Sequence, residues 1–191
     1  MNAQIVKSLM VPLSEYASVP ATATLLETIL ALEEVQARDV GARYPHRAVL
    51  VYDEDGRIVG KVCQTGVIRV LEPDFTRRLG EDALTRFGIS DEFLESTLDQ
   101  SNFWKIPIRR LCRAAGAMPA SQVMDSLDEG DYVPADAPLR KALALMTSGC
   151  HNSLLVTEDG EIVGILKLAD LFAYITREMK AAFEAEPEGD G

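Results

Sequence analysis

Hydrophobic and polar positions alternate with two different periods along this chain, and the two periods recur in the same order twice. Leu25, Ile29 and Leu32 recur at helical spacing, as do Leu139, Leu143 and Met146, predicting helices over 25–37 and 139–147. Asp136 is a candidate N-cap for the second helix, with Pro138 near its start and Gly149 as its stop. Short extended segments, Ala17 to Pro20 and Tyr132 to Pro134, precede the two helices. β-type runs follow them: Val49 to Tyr52 and Ile58 to Val62 around Asp55-Gly56, then the segments around Asp159-Gly160. An Asp-Gly pair between such runs predicts a hairpin. A closing helix is predicted over 66–71 in the first copy and from Leu168 to about Phe183 in the second.

The two passages are an internal repeat. At an offset of 114, Met10 falls on Met124, Val19-Pro20-Ala21 on Val133-Pro134-Ala135, and Leu25 on Leu139. At an offset of 104, Leu50 falls on Leu154, Glu54-Asp55-Gly56 on Glu158-Asp159-Gly160, and Ile58-Val59-Gly60 on Ile162-Val163-Gly164. The drop from 114 to 104 puts ten more residues in the first copy, around Val35 to Tyr44. Two copies make a duplication rather than a solenoid. Each reads β-α-β-β-α, an α+β unit whose small sheet needs a second copy to close a core.

Between the copies, 73–119 is too long and too patterned for a plain loop. Leu79, Ala83, Leu84 and Phe87 predict a helix over 75–87. Ser90 caps a second, over 91–98, and Pro107 opens a third that Gly116 stops. Trp104 lies between them. These helices either cover one face of the molecule or form a dimerisation or partner-docking element. The expected organisation is therefore motif 1 over 1–72, a helical insert over 73–119, motif 2 over 120–183, and an acidic, frayed tail over 184–191.

Composition removes several function classes. The 191 residues carry 30 acidic and 19 basic side chains, a formal net charge of −11. Without a Lys/Arg cluster, such a chain repels a phosphate backbone and an anionic membrane surface, so neither nucleic acid nor membrane is an expected partner. No apolar run approaches the length of a membrane span, and the first ten residues do not read as a signal peptide. Cys63, Cys112 and Cys150 are widely spaced and odd in number, which fits reduced thiols in a cytoplasmic protein.

Catalytic chemistry is nearly missing from the sequence. His46 and His151 stand in no HExxH or nucleophile setting, and no phosphate-cradling glycine loop occurs. The run from Asp53 to Gly56 imitates a calcium loop but has Val62 where the bidentate glutamate belongs. No enzyme, metal or required cofactor is expected.

The repeat, the order of elements and the sequence Glu158-Asp159-Gly160-x-Ile162-Val163-Gly164 followed by Asp170 resemble the CBS domain, the cystathionine β-synthase motif. Two copies resemble a tandem CBS pair. The resemblance implies two motifs packed about a pseudo-twofold axis. It also implies clefts that bind AMP, ADP, ATP, S-adenosylmethionine or NAD-type ligands, and homodimers formed through the helices. It further implies a signature running from the strand glycine into the last helix, with a threonine or serine at the phosphate and an aspartate at the ribose. The second copy reads Gly164-Ile165-Leu166-Lys167-Leu168-Ala169-Asp170, so Asp170 matches the ribose position and Lys167 replaces the threonine. In the first copy Cys63 and Gly66 stand at those positions, so one site is retained and one is lost or altered.

Each of these residues also has a plainer reading. Asp170 is either a ribose acceptor or a first-turn aspartate favoured by the helix dipole. Lys167 is either a phosphate partner or a solvated lysine near the acidic tail. His151 and Asn152 match a phosphate-facing pair, or His151 is a strand-edge histidine. Tyr132, Val133 and Pro134 match the segment that lines the adenine pocket; Tyr132 can stack, whereas Val133 and Pro134 suit the core. Two function classes follow: a regulatory sensor of an adenosyl ligand acting in trans on an unidentified protein, or a CBS-fold interaction scaffold working through its insert.

Overall fold

A computed structural model describes residues 4–38, 45–71, 107–149 and 151–184. Helices expected over 75–87 and 91–98, Trp104, Cys150 and the tail beyond Glu184 lie outside the described residues.

The first copy contributes β1 (Val11–Pro12), β2 (Ser18–Pro20), α1 (Leu25–Arg38), β3 (Ala48–Tyr52), β4 (Ile58–Cys63) and α2 (Gln64–Arg69). From the insert comes α3 (Ile108–Gly116), opening at Pro107 as expected. The second copy supplies α4 (Ala120–Val123), β5 (Asp125–Ser126), β6 (Tyr132–Pro134), α5 (Leu139–Ser148), β7 (Ser153–Glu158), β8 (Glu161–Lys167) and α6 (Leu168–Glu184). The architecture is α+β, with two four-stranded sheets ordered β1-β8-β7-β6 and β2-β3-β4-β5.

Strand exchange is the feature the repeat did not reveal. The chain divides into compact units at Tyr16/Ala17 and at Ser126/Leu127. One sheet therefore takes its edge strand β1 from the first copy, antiparallel to β8, with Val11 opposite Ile165 and Pro12 opposite Gly164. The other takes β5 from the second copy, with Gly60 opposite Ser126 and Lys61 opposite Asp125.

Matching hydrogen bonds fix both exchanges. Val6 N–H donates to Ala137 O (2.9 Å) and Lys7 N–H to Ala135 O (2.8 Å). At the equivalent positions Ala120 N–H donates to Ala23 O (2.7 Å) and Ser121 N–H to Ala21 O (3.1 Å). Val6 is consequently buried in the core with Val133, Leu139, Leu154, Val156, Leu166 and Leu171. Ala120 and Val123 join Val19, Leu25, Val49, Val51 and Val62 in the other core.

The same exchange corrects the expected cap of α5. Its N-cap is Pro138, without a side-chain bond, and not Asp136. The first helical N–H, of Leu139, donates instead to Gln4 O at 3.1 Å. An orphan donor that a capping side chain would satisfy is thus taken by the incoming N-terminal segment. Leu25 N–H, at the start of α1, meets Met118 O at 2.7 Å in the same way.

Strand register refines the repeat. Val51 pairs with Gly60, and Val156 with Gly164, so the strands before the turns correspond at an offset of 105 rather than 104. The extra residue lies in the turn. Asp159 (φ 52°) and Gly160 (φ 86°) form a two-residue hairpin loop, whose two positive φ values are those of a type I′ turn. In the first hairpin Asp53 N–H donates to Arg57 O and Gly56 N–H to Asp53 O, enclosing one residue more. With this register His46 corresponds to His151, and Leu50 to Leu155.

Candidate functional site

Side chains alternate between the faces of a strand. On β6, β7 and β8, Val133, Leu154, Val156 and Leu166 pack in the helix-side core. Tyr132, Leu155, Ile165 and Lys167 therefore share the opposite face, with Tyr132 opposite Leu155, Leu155 opposite Ile165, and Ser153 opposite Lys167. The start of β6, the start of β7, the end of β8 and the first turn of α6 converge at one end of this sheet. Leu168 N–H donates to Asn152 O at 2.9 Å and closes that end.

Asp170 sits in the first turn of α6, where an acidic side chain suits the dipole. Lys167 is buried, at 9% exposure, so the solvated-lysine reading fails. Its Nζ lies 3.3 Å from Asp170 Oδ2, and the Asp170 side chain keeps 26% of its surface exposed. The pair puts a buried ammonium beside a half-open carboxylate. A carboxylate offers two acceptor oxygens, which suits a diol, and an ammonium suits an anion.

Other candidates divide by place. Tyr132 is half-buried on the face it shares with the buried Leu155 and Ile165, and Pro134 is exposed. The Val133 side chain is fully buried on the helix side, away from that face. His151 turns toward its own neighbourhood: Nδ1 lies 3.4 Å from Oδ1 of the buried Asp131. Asp131 in turn accepts from Asp128 N–H through Oδ2 at 3.0 Å, within a capping box over the turn before β6. The His151 ring packs where a side chain on Gly149 would stand. It thus ties the end of α5 to the start of β6.

Ser153 and Asp131 escaped the sequence reading. Strand alternation would have found Ser153, but only in the register given by the structure. Asp131 was not singled out by any motif; its contacts with Asp128 and His151 are visible in the structure.

In the other unit, the equivalents of Tyr132, Ser153, Ile165, Lys167 and Asp170 are Ser18, Ala48, Lys61, Cys63 and Gly66. No carboxylate or aromatic ring stands among them. Among the described residues no His/Cys/Asp/Glu group could hold a metal, and no helix is long and apolar enough to cross a membrane.

A family model for the CBS domain matches residues 6–73 and 120–177, more than half of the chain. The chain belongs to the CBS-domain family. It is a tandem CBS pair, and proteins of this family are in general regulatory modules rather than enzymes. No curated protein matches it in sequence.

Several solved CBS-like structures resemble it in fold. An uncharacterized conserved protein from Pyrococcus horikoshii is 17% identical, with a TM-score of 0.56 over 91% of this chain and 92% of that one. A conserved CBS domain protein from Thermoplasma acidophilum is 18% identical, with a TM-score of 0.57 over 92% and 71%. CBSX2, solved in complex with AMP, is 14% identical, with a TM-score of 0.55 over 92% and 98%. At these identities the likeness concerns the fold of the CBS pair.

Proposed function

We propose that this CBS pair is a regulatory module that binds an adenosyl ligand through its second motif and acts in trans on a protein target. The observation that carries the reading is the Asp170 carboxylate, half-open in the first turn of α6 at the sheet end where Tyr132 and Lys167 share a face. Asp170 accepts the ribose diol, Tyr132 offers a flat apolar surface to the base, and the backbone of Val133 and Pro134 borders it. His151 and Asn152 hold the end of the sheet in shape. The AMP in the CBSX2 structure supports the choice of ligand class. The first motif, with Cys63 and Gly66 at the matching positions, does not bind in this way.

Two copies associate through their helices in this reading. Leu168, Phe172, Met179 and Phe183 are exposed along one side of α6, an apolar stripe suited to a second helix. Regulation requires that the ligand favour one of two states, because equal affinity for both shifts nothing.

Thermal unfolding with AMP, ADP, ATP, S-adenosylmethionine, NAD and GTP tests the reading. A ligand at 100 times its Kd adds about 2.7 kcal/mol and raises Tm by roughly 5–11 °C for a chain of this size. We expect a shift with adenine compounds that GTP does not give and that Asp170→Ala abolishes. No shift at millimolar ligand would overturn the sensor and leave an interaction scaffold.

A further inference from the structure

We infer that the outer face of α3 is a docking surface for an acidic segment of another protein, one that carries apolar side chains between its carboxylates. α3 and Asp170 lie in different units, so this holds whether or not the second motif binds a ligand.

Charge is spread unevenly along the chain. Residues 100–124 carry four basic and no acidic side chains, while the remaining residues carry 30 acidic and 15 basic. Apolar residues interrupt these cations in sequence, and the helix gathers three of them. α3 packs inward through Ala115, which is buried, and through Leu111 and Ala114, which are half-buried. Arg109, Arg110 and Arg113 are exposed on the other side, three and four residues apart and so neighbours on one surface. Arg110 makes a further contact, and the face therefore rests on Arg109 and Arg113. Among the described residues no carboxylate pairs with either of these two.

This arrangement does not serve the helix. Arg109 and Arg110 stand in its first turn, which has no acidic residue, at the end where the dipole opposes cations. Arg109 and Arg113 are a like-charge pair four residues apart, which opposes the helix again. Repulsion between copies is not served either, because the four cations reduce the magnitude of a net charge of −11. The two guanidiniums are left to a partner, and each can hold a carboxylate through two parallel hydrogen bonds.

Apolar side chains complete the surface. Ile108, at the head of the same helix, is 63% exposed. A Cβ on Gly116 would lie 3.7 Å from Leu26 Cβ, so the exposed Leu26 of α1 stands at the other end of α3, with the exposed Leu30 one turn along α1. An acidic segment with leucine-like side chains meets both kinds of group. A nucleic acid fits less well, since its phosphates continue past two arginines into the field of the remaining −15.

The test is fluorescence anisotropy of short labelled probes with the full chain at low salt. One peptide alternates Glu-Glu with Leu, a second has Gln for every Glu, and a labelled oligothymidylate supplies phosphate. The acidic peptide should bind at least ~10-fold tighter than the Gln peptide and than the oligothymidylate. Arg109→Gln/Arg113→Gln should weaken it at least ~5-fold. Arg140→Gln/Lys141→Gln, which removes the same charge from exposed positions in the other unit, should change it by less than ~2-fold. Arg109→Gln alone should not lower Tm, because Gln relieves the repulsion at little cost in helix propensity. No binding of the acidic peptide, equal losses in the two double variants, or a lower Tm for Arg109→Gln would overturn the inference. So would oligothymidylate binding as tightly as the peptide, which means a phosphate surface. A change of oligomeric state in Arg109→Gln/Arg113→Gln, read by sedimentation, would overturn it too, since the occupant is then a second copy.

Discussion

Gly164 and Gly60 show what a single missing side chain permits. A Cβ at Gly164 would lie 2.5 Å from Val11 O and 3.0 Å from Met10 Sδ. At Gly60 it would lie 2.5 Å from Met124 Sδ and 3.0 Å from Asp125 O. The two positions are equivalent, and in each a methionine from the exchanged segment lies across the glycine. They differ in what blocks them. Backbone blocks Gly164 first, whereas the flexible end of a methionine blocks Gly60 first. Gly164→Ala should therefore displace β1 and destabilise by about 1–3 kcal/mol, and Gly60→Ala by clearly less, since Met124 can change rotamer. Denaturant unfolding of the two variants checks the order; equal losses would contradict it. The glycine repeat and Met10/Met124 were both legible in sequence, but not that each methionine covers the other copy's glycine. Asp170 was legible for a similar reason, as a fixed step from Gly164. The burial of Lys167 was not, because a lysine at the junction of strand and helix carries no sign of which strand face it takes.

At the scale of the element, α1 shows a device the hydrophobic pattern passes over. Thr24 N–H and Thr24 Oγ–H donate to Glu27 Oε2 at 2.7 and 2.9 Å, and Glu27 N–H donates to Thr24 Oγ1 at 3.2 Å. This is a capping box, reciprocal satisfaction of two orphan donors. The Thr24 backbone N–H, and then its hydroxyl, hold the Glu27 carboxyl below its ordinary value of 4.5. A carboxyl whose pKa is lowered on folding contributes stability above its unfolded pKa, and that contribution is lost as pH falls through the folded value. Glu27→Gln should therefore lower Tm at pH 7, and the difference from wild type should shrink as pH drops below about 4.5. Melts of both proteins from pH 7 to pH 3 check it, and a gap that persists at pH 3 would rule the carboxylate out as the cause. Strongly periodic elements were legible to within a residue or two: α1, α5, both hairpins and α6. The cap of α5 was not, since its first N–H is satisfied by Gln4, more than a hundred residues away in sequence. Nor was the strand register, which changes by one residue at the turn between two otherwise matching hairpins.

Over the whole chain, the exchange ties each unit to both sequence copies. Residues 5–12 are short and mixed in pattern, and nothing in them specifies which sheet they join, so the sequence leaves their place open. Val6 decides it. Its side chain is fully buried in the core of Val133, Leu154, Val156, Leu166 and Leu171, all from the second copy. Lys7 is held to the same unit by its ammonium, 2.7 and 2.9 Å from the two Glu158 carboxylate oxygens; at roughly half exposure this pair adds little energy but fixes the path of the chain. Val6→Ala removes buried apolar volume and should cost about 1–3 kcal/mol. The location of the damage distinguishes exchange from simple repetition. Hydrogen exchange should show lost amide protection in β7 and β8, at Ser153–Glu158 and Glu161–Lys167, while Ala48–Tyr52 and Ile58–Cys63 stay protected. Loss centred on Ala48–Tyr52 would mean that the N-terminal segment packs on its own copy. Loss in β7 and β8 reaches the strands that carry Ser153 and Lys167, so a residue near the start of the chain would also set the stability of the proposed ligand site near its end.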